Sequence, residues 1–223
     1  MAGLGHYDTF CIYLQVNWNV VKYMVRILPM LLCVGVVWGQ SFEGTARGSY
    51  QSGRETGSVE WSIRNNVSVA HGTTVYPDRT IEYSLYIDME APYFDWYVPS
   101  HKVAYRFDKS SVKNYDGGGS FVPTGELEQR MGRLCRKFVA EDAEKKYVVW
   151  LANLDFDAVA YGNFLKHPPY PADVKGFPVE IHISDRNGNT TYHLTIRELK
   201  EEKVPDAALR LPEGTEIREF GKK

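Results

Sequence analysis

From residue 40 onward, apolar and polar positions alternate with a period of two rather than 3.6. Ile81, Tyr83, Leu85, Ile87 and Met89 fall on one side of an extended segment, and Glu82, Ser84, Tyr86 and Asp88 on the other. Ala91-Pro92 interrupts that segment and Tyr93 to Val98 resumes it. Pro99-Ser100-His101-Lys102 reads as a tight turn into a further strand with Val103, Tyr105 and Phe107 on one face. The runs Phe42 to Tyr50 and Ser58 to Val69 have the same texture. Connections this short leave no room for helical crossovers, so the strands are expected to form an antiparallel meander.

Lys109 to Gly125 is polar and contains Gly117-Gly118-Gly119, but it lacks the Gly-Lys-Ser/Thr of a phosphate loop and reads as a connection. A strand is expected over Leu134 to Val139, a turn over Glu141 to Lys145, and a second strand over Tyr147 to Leu151. Between Asn153 and Lys166 the spacing of Leu154, Ala158, Tyr161 and Leu165 predicts a helix, capped by Asn153 or Asp155 and stopped by Pro168-Pro169. Val179 to Ile196 reads as a hairpin. Asn187-Gly188 suits a two-residue type I′ turn, which needs positive φ at both central residues. That turn would pair Ile183 with Tyr192, Ile181 with Leu194 and Val179 with Ile196 on the buried face. On the polar face it would pair Ser184 with Thr191, His182 with His193 and Glu180 with Thr195. Leu211 to Ile217 reads as a turn and a short closing segment. The expected fold class is mainly β, a strongly curved antiparallel sheet with one or two short helices. Its core is expected to hold Ile81, Leu85, Ile87, Val149, Leu151, Ile181, Ile183, Tyr192 and Leu194.

The expected organisation is a leader over residues 1–39 and a single β-rich domain over 40–223. Met24 to Gly39 has one cation at Arg26, an apolar run from Ile27 to Trp38 and a small residue at its exit, the pattern of a secretory signal. The run is shorter than the roughly 20 apolar residues of a membrane span. Export with cleavage is therefore expected over a retained anchor, leaving no integral span in the mature chain. Residues 1–23 fit either a start annotated too early, with Met24 the initiator, or a long n-region. Leu32 stands where lipid attachment at Cys33 would need a small residue. Past the leader only Cys135 remains, so no intramolecular disulfide can form there. Cys135 reads as a small buried hydrophobe. The net charge of −2 and the absence of a basic stripe argue against a nucleic-acid partner.

Hydrolase signatures are missing: there is no nucleophile elbow, no His-Glu-x-x-His, and no Cys with a His beside it. An enzyme is not expected, and neither is a cofactor. Asp155-Phe156-Asp157 suits a helix start better than acid–base work. Asp185 to Asn189 echoes a calcium loop but lacks its Gly and its bidentate Glu. Directly opposed strand positions would bring His182 and His193 together with Glu180 on the same face, either as a solvated pair of stacked imidazoles or as ligands of a metal. The candidate ligand-binding residues are Tyr83, Tyr93, Trp96, Tyr97, Tyr105 and Phe107. Strand alternation keeps Trp96 from sharing a face with both Tyr93 and Tyr97, so only a subset can line one concavity.

Several segments carry a family resemblance: Thr124-Gly125-Glu126, Gly132-Arg133-Leu134-Cys135-Arg136-Lys137-Phe138, Val149-Trp150, Lys175-Gly176-Phe177-Pro178-Val179-Glu180-Ile181 and Leu211-Pro212-Glu213-Gly214. In these the chain resembles a family of exported bacterial proteins whose domain has no assigned function. Their architecture is similar to that of the periplasmic lipoprotein carriers and receptors, LolA and LolB. The resemblance implies a half-open barrel with helical segments over its concave side. It also implies a place in the periplasm or at the outer membrane of a Gram-negative bacterium, and it carries over no catalytic residue. Tyr76 to Phe107 departs from the family's commoner Met- and Lys-rich pattern in its aromatics. Two classes of function follow. One is a non-enzymatic envelope protein that binds a lipid or acyl chain in the sheet concavity. The other is a structural or interaction module that engages an envelope protein and fills its cavity with its own side chains.

Overall fold

The computed structural model describes residues 42–111, 119–157, 168, 170–171 and 174–220. The expected leader lies outside them. The strands are β1 (Glu43–Ser52), β2 (Glu55–Arg64), β3 (Val67–Val75), β4 (Thr80–Asp88), β5 (Tyr93–Val98), β6 (Val103–Asp108), β7 (Val122–Arg130), β8 (Arg133–Glu141), β9 (Lys145–Asp157), β10 (Lys175–Asp185), β11 (Thr190–Glu201) and β12 (Glu216–Glu219). They form one open sheet in the order β12-β6-β5-β4-β3-β2-β1-β11-β10-β9-β8-β7. Two antiparallel meanders, β1–β6 and β7–β11, are joined by the pairing of β1 with β11. β12 alone is parallel, lying along β6. Among the described residues helical structure is confined to short 3-10 turns such as Pro99–His101 and Asp206–Leu209. No described helix is long and apolar enough to cross a membrane.

Several local expectations are corrected. Ser58 to Val69 is two strands, because Asn65 takes a left-handed turn conformation (φ 52°) between β2 and β3. The connection after β6 ends earlier than Gly125, since β7 begins at Val122. Asn153 to Asp157 is not helical but continues β9, and the remainder of the predicted helix lies outside the described residues. Leu154 and Phe156 are buried while Asn153 and Asp155 are exposed. That period-two pattern runs through the same residues as the helical spacing and is the one the chain adopts.

The β10–β11 hairpin keeps its predicted register away from the turn: Glu180 faces Thr195, Ile181 Leu194, His182 His193 and Ile183 Tyr192. At the turn Ser184 pairs with Thr190 instead of Thr191, and Thr191 is bulged out. Gly188 takes a positive φ (85°) and Asn187 does not, so the loop is not type I′. The Gly188 N–H donates to the Asp185 carbonyl (3.0 Å) and the Asp185 N–H to the Asn189 carbonyl (2.9 Å), closing a three-residue loop. The bulge absorbs the extra loop residue and restores the facing of every side chain beyond it. Paired positive φ occurs instead at Met131 (50°) and Gly132 (72°), the two-residue turn between β7 and β8.

The main core covers one face of the sheet and draws on both meanders, with Trp61, Ile63, Ile87 and Phe94 from one and Phe138, Val149, Ile181 and Leu194 from the other. The Trp61 and Phe177 rings meet edge to face at 5.8 Å. Two whole strands, β1 and β11, stand between theirs, a separation of about 14 Å in a flat sheet. The sheet therefore curls toward this face. Of the predicted core, Ile87, Val149, Leu151, Ile181 and Leu194 are buried in it, and Leu85, Ile183 and Tyr192 pack against it half-buried. Ile81 lies outside it and lines a groove. On the opposite face a smaller cluster of Val69, Val204 and Leu209 is covered by the segment after β11, which Arg64 ties down through Asp206 (2.6 Å).

Candidate functional site

The groove lies where β4, β5, β6 and β12 approach one edge of the sheet. Cross-strand register sets its lining: Leu85 faces Trp96, Trp96 faces Tyr105, Ile87 faces Phe94 and Phe94 faces Phe107. With alternation along each strand, Tyr83, Trp96, Tyr105 and Phe107 stand on the core side. The groove has a volume of about 1080 Å³ and an apolar stretch of Ile81, Trp96, Val98, Tyr105, Phe107 and Phe220. Its other end is polar, with Arg79, Thr80, Ser100 and His101 from the β3–β4 and β5–β6 turns. The rings form a chain of contacts: Phe94 stacks on Phe107 (5.0 Å), Phe107 meets Phe220 (4.6 Å), and Tyr83 lies against Trp96 (5.7 Å). Trp96 is 44% exposed and Phe220 62%. The apolar face thus continues from the closed core to open rings without a break.

Of the six candidate aromatics, the structure places Trp96, Tyr105 and Phe107 on this groove with Tyr83 at its margin. Tyr93 and Tyr97 are on the opposite face. There Asp95 is buried and accepts two hydrogen bonds from Arg106, from Nε at 2.8 Å and Nη2 at 2.9 Å. The guanidinium lies 3.8 Å above the Tyr93 ring, and Tyr97 is buried. Phe220 was missed by the sequence reading. Its only signal is a lone ring in a charged tail, and its place depends on the parallel pairing of β12 with β6.

His182 and His193 stand opposite each other, their rings 5.5 Å apart at 61°. His193 Nε2 lies 3.3 Å from Glu180 Oε1, and His182 Nε2 lies 2.9 Å from Thr190 Oγ1. Glu180 also accepts a hydrogen bond from Arg130, which itself covers the Trp150 ring at 4.2 Å. Burial opposes ionisation of Glu180, but Arg130 and His193 outweigh it and hold the carboxyl below its usual range. Among the described residues no three such side chains are grouped to hold a metal ion. The arrangement is a partly buried ion-pair network on the face opposite the groove. Cys135 is buried, and burial pushes its thiol up, which suits packing rather than nucleophilic chemistry.

No protein-family model matches the chain, and no curated protein matches it. Solved structures do. A conserved protein of Thermus thermophilus, described as uncharacterized, superposes with a TM-score of 0.50 at 11% identity, covering 79% of this chain and 91% of that one. MucB in complex with MucA(peri) gives 0.44 at 7% identity, with 79% of this chain and 57% of that one covered. A domain from Vibrio parahaemolyticus, provisionally described as outer membrane lipoprotein-sorting, gives 0.31 at 13% identity, covering 82% and 94%. At such identities what is shared is the fold: an open, curled, mostly antiparallel sheet.

Proposed function

We propose that this chain is a non-enzymatic protein of the bacterial envelope, exported to the periplasm or the outer membrane, that shelters an apolar ligand such as a lipid or acyl chain in the β4–β5–β6–β12 groove. The observation that carries this reading is the continuity of the core face into a groove of about 1080 Å³ whose rings remain open to solvent. Exposed apolar surface on a soluble protein is costly, and when gathered in a concavity it marks a binding site. Export is supported by the apolar run from Ile27 to Trp38, and the non-enzymatic part by a sequence without a hydrolase signature. Native mass spectrometry of the protein purified without detergent from a bacterial periplasm tests it. The expected result is a population heavier by the mass of a lipid, reduced in Trp96→Ala. A single unliganded mass that stays unchanged on addition of lipid would overturn it.

A second reading is an interaction module that fills the groove with its own rings. The Phe94–Phe107–Phe220 stack is what favours it, because three rings already cover one another at that end. The unliganded outcome above is the result this reading expects.

A further inference from the structure

The groove is polarised from end to end, and the polarity names a class of ligand. At one end the β3–β4 turn brings Arg79 and Thr80 beside Ser100 and His101 of the β5–β6 turn. Along the strands from there the lining becomes Trp96, Tyr105, Phe107 and finally Phe220. In β6 the four residue steps from Val103 to Phe107 cover about 13 Å, so the two ends are separated by the length of a medium acyl chain rather than of a compact ligand. Arg79 is exposed, and among the described residues it forms no ion pair; its guanidinium lies 5.3 Å from the Tyr76 ring centroid. The one acidic residue among the described lining is Glu82. It pairs with Thr73 across β3 and alternates to the opposite face from Ile81 and Tyr83. The polar end therefore offers a guanidinium, an imidazole and the Ser100 hydroxyl to whatever enters, without a carboxylate directed at it from the same face.

We propose that the occupant is a single-chain carboxylic acid, its tail laid over Trp96, Tyr105, Phe107 and Phe220 and its carboxylate received at Arg79, Ser100 and His101. This inference rests on the reading of the groove as an apolar binding site and adds the charge, number and direction of the chain. A guanidinium pairs with a carboxylate through parallel charge-assisted hydrogen bonds, which a hydroxyl head cannot match and a cationic head reverses. The four rings supply sequence-independent apolar surface and set no demand on the chain beyond its width.

The test uses delipidated protein loaded with N-phenyl-1-naphthylamine, an uncharged fluorescent probe. The probe is displaced by dodecanoate, dodecan-1-ol or dodecyltrimethylammonium below their micellar concentrations. Dodecanoate is expected to displace the probe at about tenfold lower concentration than dodecan-1-ol, with the cation weakest. The double variant Arg79→Gln/His101→Gln, both surface positions, should bring dodecanoate down to the level of dodecan-1-ol and leave dodecan-1-ol unchanged. Equal displacement by all three in the unaltered protein would overturn the headgroup assignment and leave the apolar groove standing, as would a variant that keeps the preference. Failure of the probe and of all three amphiphiles to bind would overturn both.

Discussion

At Gly72 on β3 a missing Cβ is filled from the neighbouring strand. Gly72 faces Tyr83 on β4, and a Cβ built there would overlap the Tyr83 ring. Gly57 and Tyr50 repeat the device between β1 and β2. Each ring lies flat over a glycine, which closes the hole in the face and commits the ring to packing. This explains why Tyr83, one of the six candidate aromatics, ends at the margin of the groove rather than inside it. Gly72→Ala should push the ring off its seat and cost about 1–3 kcal/mol of stability, read as a lower urea midpoint with an unchanged slope. In Gly72→Ala/Tyr83→Ala the loss should be less than the sum of the two single losses, because the second change removes the clash. Additive losses would mean that the ring and the glycine are independent.

Elements were legible wherever alternation was clean and the partner strand was near in sequence. β4, β5, β6 and the outer part of the β10–β11 hairpin could be read from their own residues, down to the opposition of His182 and His193. What escaped had three physical causes. Over Asn153 to Asp157 two periodicities coincide, and only the sheet beside it decides between them. The lining of the groove needs β12, whose pairing with β6 joins residues more than a hundred positions apart and has no local signature. The turn of β10–β11 failed for a third reason: Asp185 rearranged it. Its Oδ1 accepts hydrogen bonds from the N–H groups of Asn187 (2.9 Å) and Asn189 (2.8 Å), and its Oδ2 from the Asn189 side-chain amide (2.9 Å). These bonds, the Asn189 side chain first, hold the Asp185 carboxyl below its ordinary 3.8. A depressed folded value means that the contribution is complete above the unfolded value and is lost as pH falls through the folded one. Amide exchange at Asn187 and Asn189, corrected for intrinsic pH dependence, should therefore lose protection below about pH 4 while Ile181 and Leu194 keep theirs. Asp185→Asn should remove that pH dependence. Protection unchanged down to pH 2 would show that the carboxylate does not hold the loop.

At the scale of the whole sheet, β7 and β12 are the two edge strands, and among the described residues neither has a second strand beside it. β7 is exposed along almost its entire length, with Val122 and Leu127 open to solvent, and β12 shows Ile217. Edges of this kind can template further strands unless something blunts them. Glu126, bridged to Lys137 (2.9 Å), and Arg130, bridged to Glu128 (3.1 Å), put charge along β7. The order of strands adds another safeguard. β6 and β7 point the same way and are ten strand spacings apart, about 48 Å if the sheet were flat. Roughly 14 residue steps join Asp108 to Val122, at most ~50 Å when fully stretched. That path must also climb back along the strands, and it begins with a 3-10 turn at Lys109–Ser111. A flat sheet is thus beyond its reach. The connection works as a bowstring: it adds little to the native state, whose curl the core already fixes, but it denies the chain the flattened shape in which both edges could stack with other copies. A ten-residue Gly-Ser insertion between Gly117 and Gly118 should cost only about 0.6 kcal/mol in urea unfolding, the loop-closure term. The same insertion should shorten the lag before light scattering appears on mild heating. An unchanged lag would leave the edge charges as the whole defence; a shortened one would make the length of the chain between β6 and β7 a determinant of solubility.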